Sequence, residues 1–256
     1  MNRYRVESEE KMFDKYAKQI IKLNKFEKED ILNKQFELYA EQNLNIYYAP
    51  HNEITNSKAK IFIVGITPGW MQTSIAYKTA NEGLINNLDY ELIKQNCKRN
   101  SRFAGSMRNN LVEMLDELKL NYKLNIDSCS ELFGEKDYLL HTTSMIPYPV
   151  FINNKNYTGY NPKIMENGTL YSYVKKYFYN EMKQLPNALI IPLGKAVEEV
   201  LYQMIKDNLV NKEQCLLGFP HPSGANGHRK NQFKENKEKL LDIIEKYFEI
   251  KKFMLN

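Results

Sequence analysis

The chain has 256 residues, 43% of them hydrophobic, enough for one large α/β domain with an appendage. It carries 36 Lys and Arg against 31 Asp and Glu, and the resulting net charge of +5 permits binding to a polyanion without demanding it. Cys97, Cys129 and Cys215 are widely spaced and lack metal-ligand spacing, so a four-thiolate cluster is excluded and free buried thiols are expected.

Met1-Asn2-Arg3-Tyr4-Arg5 is followed by charged residues, so no secretion signal is expected. No apolar run approaches the roughly 20 residues of a membrane span. A cytoplasmic, soluble monomer follows as the expectation. Phe13, Tyr16, Ala17, Ile20 and Leu23 fall on one helical face, and Leu32, Phe36, Tyr39 and Ala40 predict a second amphipathic helix. Residues 1–57 are therefore read as an N-terminal helical extension and residues 58–256 as the α/β domain.

Four short apolar runs follow, each predicted as a buried strand ending in an unusual loop. Ile61-Phe62-Ile63-Val64 leads into Gly65-Ile66-Thr67-Pro68-Gly69-Trp70, and Tyr138-Leu139-Leu140 into His141-Thr142-Thr143. Ala188-Leu189-Ile190-Ile191 leads into Pro192-Leu193-Gly194-Lys195, and Cys215-Leu216-Leu217 into Gly218-Phe219-Pro220-His221-Pro222-Ser223. Helices are predicted around Met107 to Leu118, Ser172 to Lys183 and Ala196 to Ile205, and along a stripe of Phe233, Leu240, Ile244 and Tyr247. The alternation predicts a three-layer α/β/α sandwich around a mostly parallel four-stranded sheet. In such sheets ligands bind beyond the carboxyl ends of the strands, where the four loops would meet.

Two of these loops carry chemistry. Gly65 lets the chain turn sharply beside a ligand, and Pro68 fixes one dihedral. Trp70 is open to two roles, core packing or a wall beside a pocket. In the last loop two prolines bracket His221 and restrict where its imidazole points, which electrostatic catalysis requires. Ser223, Asn226, His228, Arg229 and Lys230 supply donors and cations suited to gripping phosphates. Gly194-Lys195 at a helix start favours an anion.

The pairing of GITPG with a later HPSGANGHR resembles the two signature motifs of the uracil-DNA glycosylase superfamily, the first being similar to the GINPG of its mismatch-specific branch. The similarity spans roughly residues 60 to 250 and includes Ile191 to Lys195. It implies an enzyme that flips a nucleotide out of DNA and hydrolyses the bond between base and deoxyribose. His221 matches the histidine that donates to a carbonyl oxygen of the departing base, and Ser223 matches the phosphate-binding serine. Thr67 stands where that branch has Asn, so it is expected to position water rather than act as a base. Gly65, Ile66, Trp70, Phe103, His141 and Thr142 are the expected base pocket; Lys195, Ser223, Asn226, His228 and Arg229 are the expected DNA contacts. The resemblance implies no metal or other cofactor, DNA as partner, and a modified pyrimidine as fitting substrate, because hydroxyls replace the amide that reads uracil. The alternative is a catalytically weak DNA-binding sensor of unusual bases. Glu82 is the nearest downstream carboxylate, with surface exposure the plainer role. Asn153 to Tyr160 is read as a surface excursion in preference to a pocket border.

Overall fold

The structure is a computed structural model that describes residues 12–254, and Met1 to Arg5 lie outside them. The chain opens with α1 (Met12–Ile20), the short α2 (Lys28–Ile31) and the strands β1 (Glu37–Glu41) and β2 (Leu44–Tyr47). Then come β3 (Ile61–Gly65), α3 (Trp70–Ile85), α4 (Tyr90–Ser101), α5 (Ser106–Glu117) and α6 (Leu120–Leu124). The strands β4 (Leu140–Ser144), β5 (Val150–Ile152) and β6 (Lys155–Asn156) precede α7 (Gly168–Tyr173) and α8 (Tyr179–Met182). The chain ends with β7 (Leu189–Pro192), α9 (Lys195–Lys206) and α10 (Arg229–Met254).

The strands form two sheets. A parallel sheet has the order β4-β3-β7, and an antiparallel sheet has the order β1-β2-β5-β6. The fourth parallel strand expected at Cys215 to Leu217 reduces to a single bridge between Ile190 and Cys215. The reason is local: Leu216 N–H bonds Ile190 O at 2.8 Å, but Leu217 N–H turns back to Cys215 O at 2.9 Å, which ends the pairing.

The second predicted helix is also corrected. Tyr39 and Ala40 lie in β1, paired with Ile46 and Asn45 of β2 across a tight turn in which Gln42 takes φ 51°. Helix propensity separates such residues by less than about 0.7 kcal/mol each, so sheet pairing decides. Phe36, just before β1, is fully buried against Tyr16 and Tyr77. β5 and β6 close around Asn153 and Asn154, both at positive φ, a two-residue turn of the kind asparagine tolerates.

Both faces of the parallel sheet are covered. Phe62, Val64 and Ile190 join a core that also holds Phe13, Tyr16, Ile20, Phe36 and Ile46, so the N-terminal segment shares its interior with the sheet. Ile61, Ile63, Leu189 and Ile191 face a second cluster with Leu111, Leu115, Leu240 and Ile244 from α5 and α10. Asn81 of α3 ties the segments together, its amide donating to Ile20 O at 2.8 Å and Leu23 O at 3.1 Å. Cys97, Cys129 and Cys215 are free and buried. Among the described residues no helix is long and apolar enough to cross a membrane.

Candidate active site

At the carboxyl ends of the parallel strands the chain leaves the sheet at Gly65, Ser144 and Pro192, in register across the pairings. His221 is brought there by close packing rather than by a strand. A Cβ on Gly194 would stand 3.0 Å from His221 Cβ, and Gly194 N–H donates to Phe219 O at 3.1 Å. Gly194 holds φ 89° and ψ 170°, a conformation that essentially only glycine adopts. Glu198 of α9 accepts from Gly218 N–H and anchors the other end of the loop.

The His221 ring is oriented by its own loop. Ser223 N–H donates to His221 Nδ1 at 3.3 Å, which assigns the proton of a neutral ring to Nε2. Burial pushes the imidazole below its ordinary pKa, so it is neutral at pH 7. Nε2 makes no hydrogen bond among the described residues. The site therefore presents a rigidly held neutral N–H donor, suited to an oxygen on which negative charge develops.

Two of the expected DNA contacts, Asn226 and Arg229, also brace the loop. Asn226 Nδ2 donates to His221 O at 3.1 Å and Gln232 Oε1 at 3.0 Å, while its Oδ1 accepts from His228 N–H at 3.2 Å. Arg229 donates to Ser223 O at 3.1 Å and to Asn110 Oδ1 at 3.2 Å, and Asn110 donates to Pro222 O at 2.9 Å. Asn226 thus ties the loop to itself and to α10, and Arg229 fastens it onto Asn110 of α5. Ser223 Oγ accepts from Ala225 N–H at 3.2 Å and keeps its own proton to donate. Lys195 and His228 are exposed.

The Gly65 loop is likewise tied. Thr67 Oγ1 donates to Tyr148 O at 2.6 Å and accepts from Val150 N–H at 3.1 Å, leaving one lone pair and no proton for a water. Trp70 begins α3 and packs, partly exposed, on the N-terminal core with Lys28 Nζ 6.0 Å from its ring centroid. Phe103, at φ 50°, lies by the strand end: a Cβ on Gly65 would meet its ring at 3.7 Å and Ser144 Oγ at 3.6 Å. Glu82 is exposed on α3, roughly 18 Å along the helix from the loop.

His141 and Thr142 require a correction. They are not in a loop after the strand but inside β4, His141 paired with Phe62 near the amino end and Thr142 with Ile63 at the middle. Five residues of ladder are made because Leu140 to Ser144 match Ile61 to Gly65, and β-branched threonines suit a buried strand. His141 Nε2 bonds Glu181 at 2.6 Å.

Three residues outside the expected site lie beside it. Ser144 is 8% exposed at the carboxyl end of β4, and its hydroxyl makes no hydrogen bond among the described residues. Asn156 accepts from Trp70 N–H at 3.1 Å, which sets its amide beside Gly69. A Cβ on Gly159 would meet Ala196 Cβ at 2.6 Å and Ile66 Cδ1 at 3.3 Å, so Gly159 packs against the Gly65 loop and α9, while Asn153 to Asn156, Thr158 and Tyr160 are exposed as the surface reading expects. The paired asparagines of the hairpin turn are the sequence signal for this segment.

The chain matches no family model. It is similar to Uncharacterized protein YoxB of Bacillus subtilis (strain 168), at 48% identity over 214 residues that cover 83% of this chain and 84% of that protein. The chain belongs to the same family as YoxB.

Proposed function

We propose that the chain is a DNA glycosylase that flips an aberrant or modified pyrimidine out of DNA and hydrolyses its N-glycosidic bond, leaving an abasic site. The observation that carries this reading is the neutral His221, held by Pro220, Pro222, Gly194 and the Ser223 N–H with Nε2–H free to donate. In glycosidic cleavage the departing base becomes anionic, and a fixed donor at its carbonyl oxygen stabilises that charge more than it stabilises the bound substrate. Phe103 and Ser144 beside Gly65 would contact the extruded base. Ser223, Lys195 and His228 would contact phosphates, while Asn226 and Arg229 keep the loop rigid.

With Thr67 bonded twice, water placement falls to its remaining lone pair and to the Asn156 amide. The chemistry is then dissociative, without a general base at this loop. A lone hydroxyl at Ser144 does not impose the two-point pairing that selects uracil, which favours a substituted pyrimidine. The covered parallel sheet, with Cys215 beside β7, is the core we assign to a three-layer α/β/α sandwich of the uracil-DNA glycosylase type. A cytoplasmic monomer acting in repair or against modified foreign DNA fits this reading.

The test is a panel of oligonucleotides carrying uracil, mismatches and substituted cytosines or uracils, read by strand cleavage after alkali. Base release by the wild type and its loss in His221→Ala are expected; full activity in that variant sinks the assignment. Efficient release of uracil with every substituted pyrimidine left intact would remove the modified-base clause. The double bonding of Thr67 favours one second reading, a sensor that binds an unusual base without excising it. A tight complex with intact substrate would select it.

A further inference from the structure

The amino end of the parallel sheet carries a cleft of about 590 Å³ between α4, the segment Ile54 to Asn56, and Asp137 to His141. This volume lies within the range of about 300–1,000 Å³ typical of small-molecule sites. It is separated from His221 by the length of β4, since His141 pairs with Phe62 and Ser144 with Gly65.

Its lining is cationic and deeply set. Lys98 and Arg102 are each only 7% exposed, and Arg99 stands at the rim. Carboxylates stand among them: Glu91 and Asp137 line the cleft, and Glu181 faces Lys98. Asp137 is shared by Arg99 at 2.8 Å and Arg102 at 3.7 Å. Glu91 reaches Lys94 at 2.5 Å, and Glu181, behind the cleft, accepts from His141 at 2.6 Å. Lys98 spends one proton on Ile54 O at 2.7 Å. Among the described residues, Arg102 Nε and the Nδ1 of nearby His51 are buried without a hydrogen-bond partner. Burial and the neighbouring Arg102 push the Lys98 amine down to about 8, with Glu181 acting against them.

Arg102 is buried with only a long 3.7 Å ion pair to Asp137 and an Nε that makes no hydrogen bond among the described residues, and a buried cation so incompletely bonded is costly unless an anion completes the set. We propose that this cleft binds a phosphate-bearing ligand, received by Lys98, Arg99 and Arg102. Guanidinium forks and an ammonium around one concave surface are the groups that recognise phosphate oxygens. Two sources share this chemistry, a free nucleotide and a nucleic-acid backbone.

The experiment is calorimetric titration of the full chain with inorganic phosphate, a nucleoside 5′-monophosphate and a short single-stranded oligonucleotide, at matched ionic strength. Saturable binding is expected for at least one probe. Arg99→Glu should weaken it at least tenfold, and Lys98→Met should abolish it. The exposed Arg99 variant decides the matter if Lys98→Met does not fold. Tighter binding of the monophosphate identifies a free nucleotide, and tighter binding of the oligonucleotide identifies the backbone. The proposal is overturned if the wild type binds none of the three probes, or if Arg99→Glu binds them unchanged. It is overturned equally if His221→Ala, and not Arg99→Glu, removes the binding, because the phosphate then belongs to the other end of the sheet. Nothing in this outcome depends on base excision.

Discussion

Replacing Gly194 with alanine tests how the His221 loop is held. Gly194 has φ 89° and ψ 170°, and placing a residue with a Cβ there costs about 1–3 kcal/mol of backbone strain. The new Cβ would also stand 3.0 Å from His221 Cβ, 3.5 Å from its N and 3.6 Å from its Cα. Carbon atoms prefer about 3.5–4.0 Å, so the two segments must part by roughly half an ångström. His221 gives way poorly, because prolines flank it and Asn226 holds its carbonyl at 3.1 Å. Overpacking of this kind adds about 1–3 kcal/mol, for a combined loss on the order of 3 kcal/mol. In urea unfolding the midpoint should fall by roughly 1 M with an unchanged slope, and Tm should fall by about 6–12 °C. Base release should fall by about tenfold or more, since sub-ångström displacement of a reacting group is expensive. Gly227→Ala is the control, because nothing lies within 4 Å of its added Cβ, and it should stay within about 0.5 kcal/mol of wild type. A Gly194→Ala protein as stable as the Gly227→Ala protein would refute the packing account.

Two further predictions concern stability. Burial, reinforced by Lys98, pushes His51 down to about 3 and His141 down to about 4, so both are neutral in the folded state at pH 7. Their contribution is complete above the unfolded value of about 6.5 and is lost as pH falls below it. Burial raises Glu53 to about 7, and its contribution runs the other way, fading as pH rises from 4.5 to 7. Urea titrations at pH 7 and pH 5 should therefore show His141→Gln flattening the acid slope by about 1 kcal/mol per pH unit; an unchanged slope would contradict a neutral buried ring. Asn81→Ala should cost about 1–3 kcal/mol, because Ile20 O and Leu23 O lose their donor and Asn81 is only 5% exposed. A loss below about 0.5 kcal/mol in chemical denaturation would show that water replaces the amide.

What the sequence determined on its own was local. The run Ile61 to Val64, the helical stripes of α1, α9 and α10, and the proline-bracketed His221 were all legible, since each is fixed by near-neighbour periodicity or dihedral restriction. Tertiary structure decided the rest. Leu32, Phe36, Tyr39 and Ala40 carry a helical pattern, yet Tyr39 and Ala40 pair as a strand, because β2 offers a hydrogen-bonded edge that periodicity cannot register. His141 and Thr142 follow a short apolar run, but continued pairing with β3 draws them into the sheet and moves His141 to its opposite end. Arg229 and Asn226 are donors in composition, and only their folded partners turn them into braces. Ser144, Asn156 and Gly159 carry no motif, and they reach the candidate site because packing between distant segments puts them there. Side-chain type and spacing fix what a residue is able to do; the long-range pairing of strands and loops fixes which groups remain free to do it.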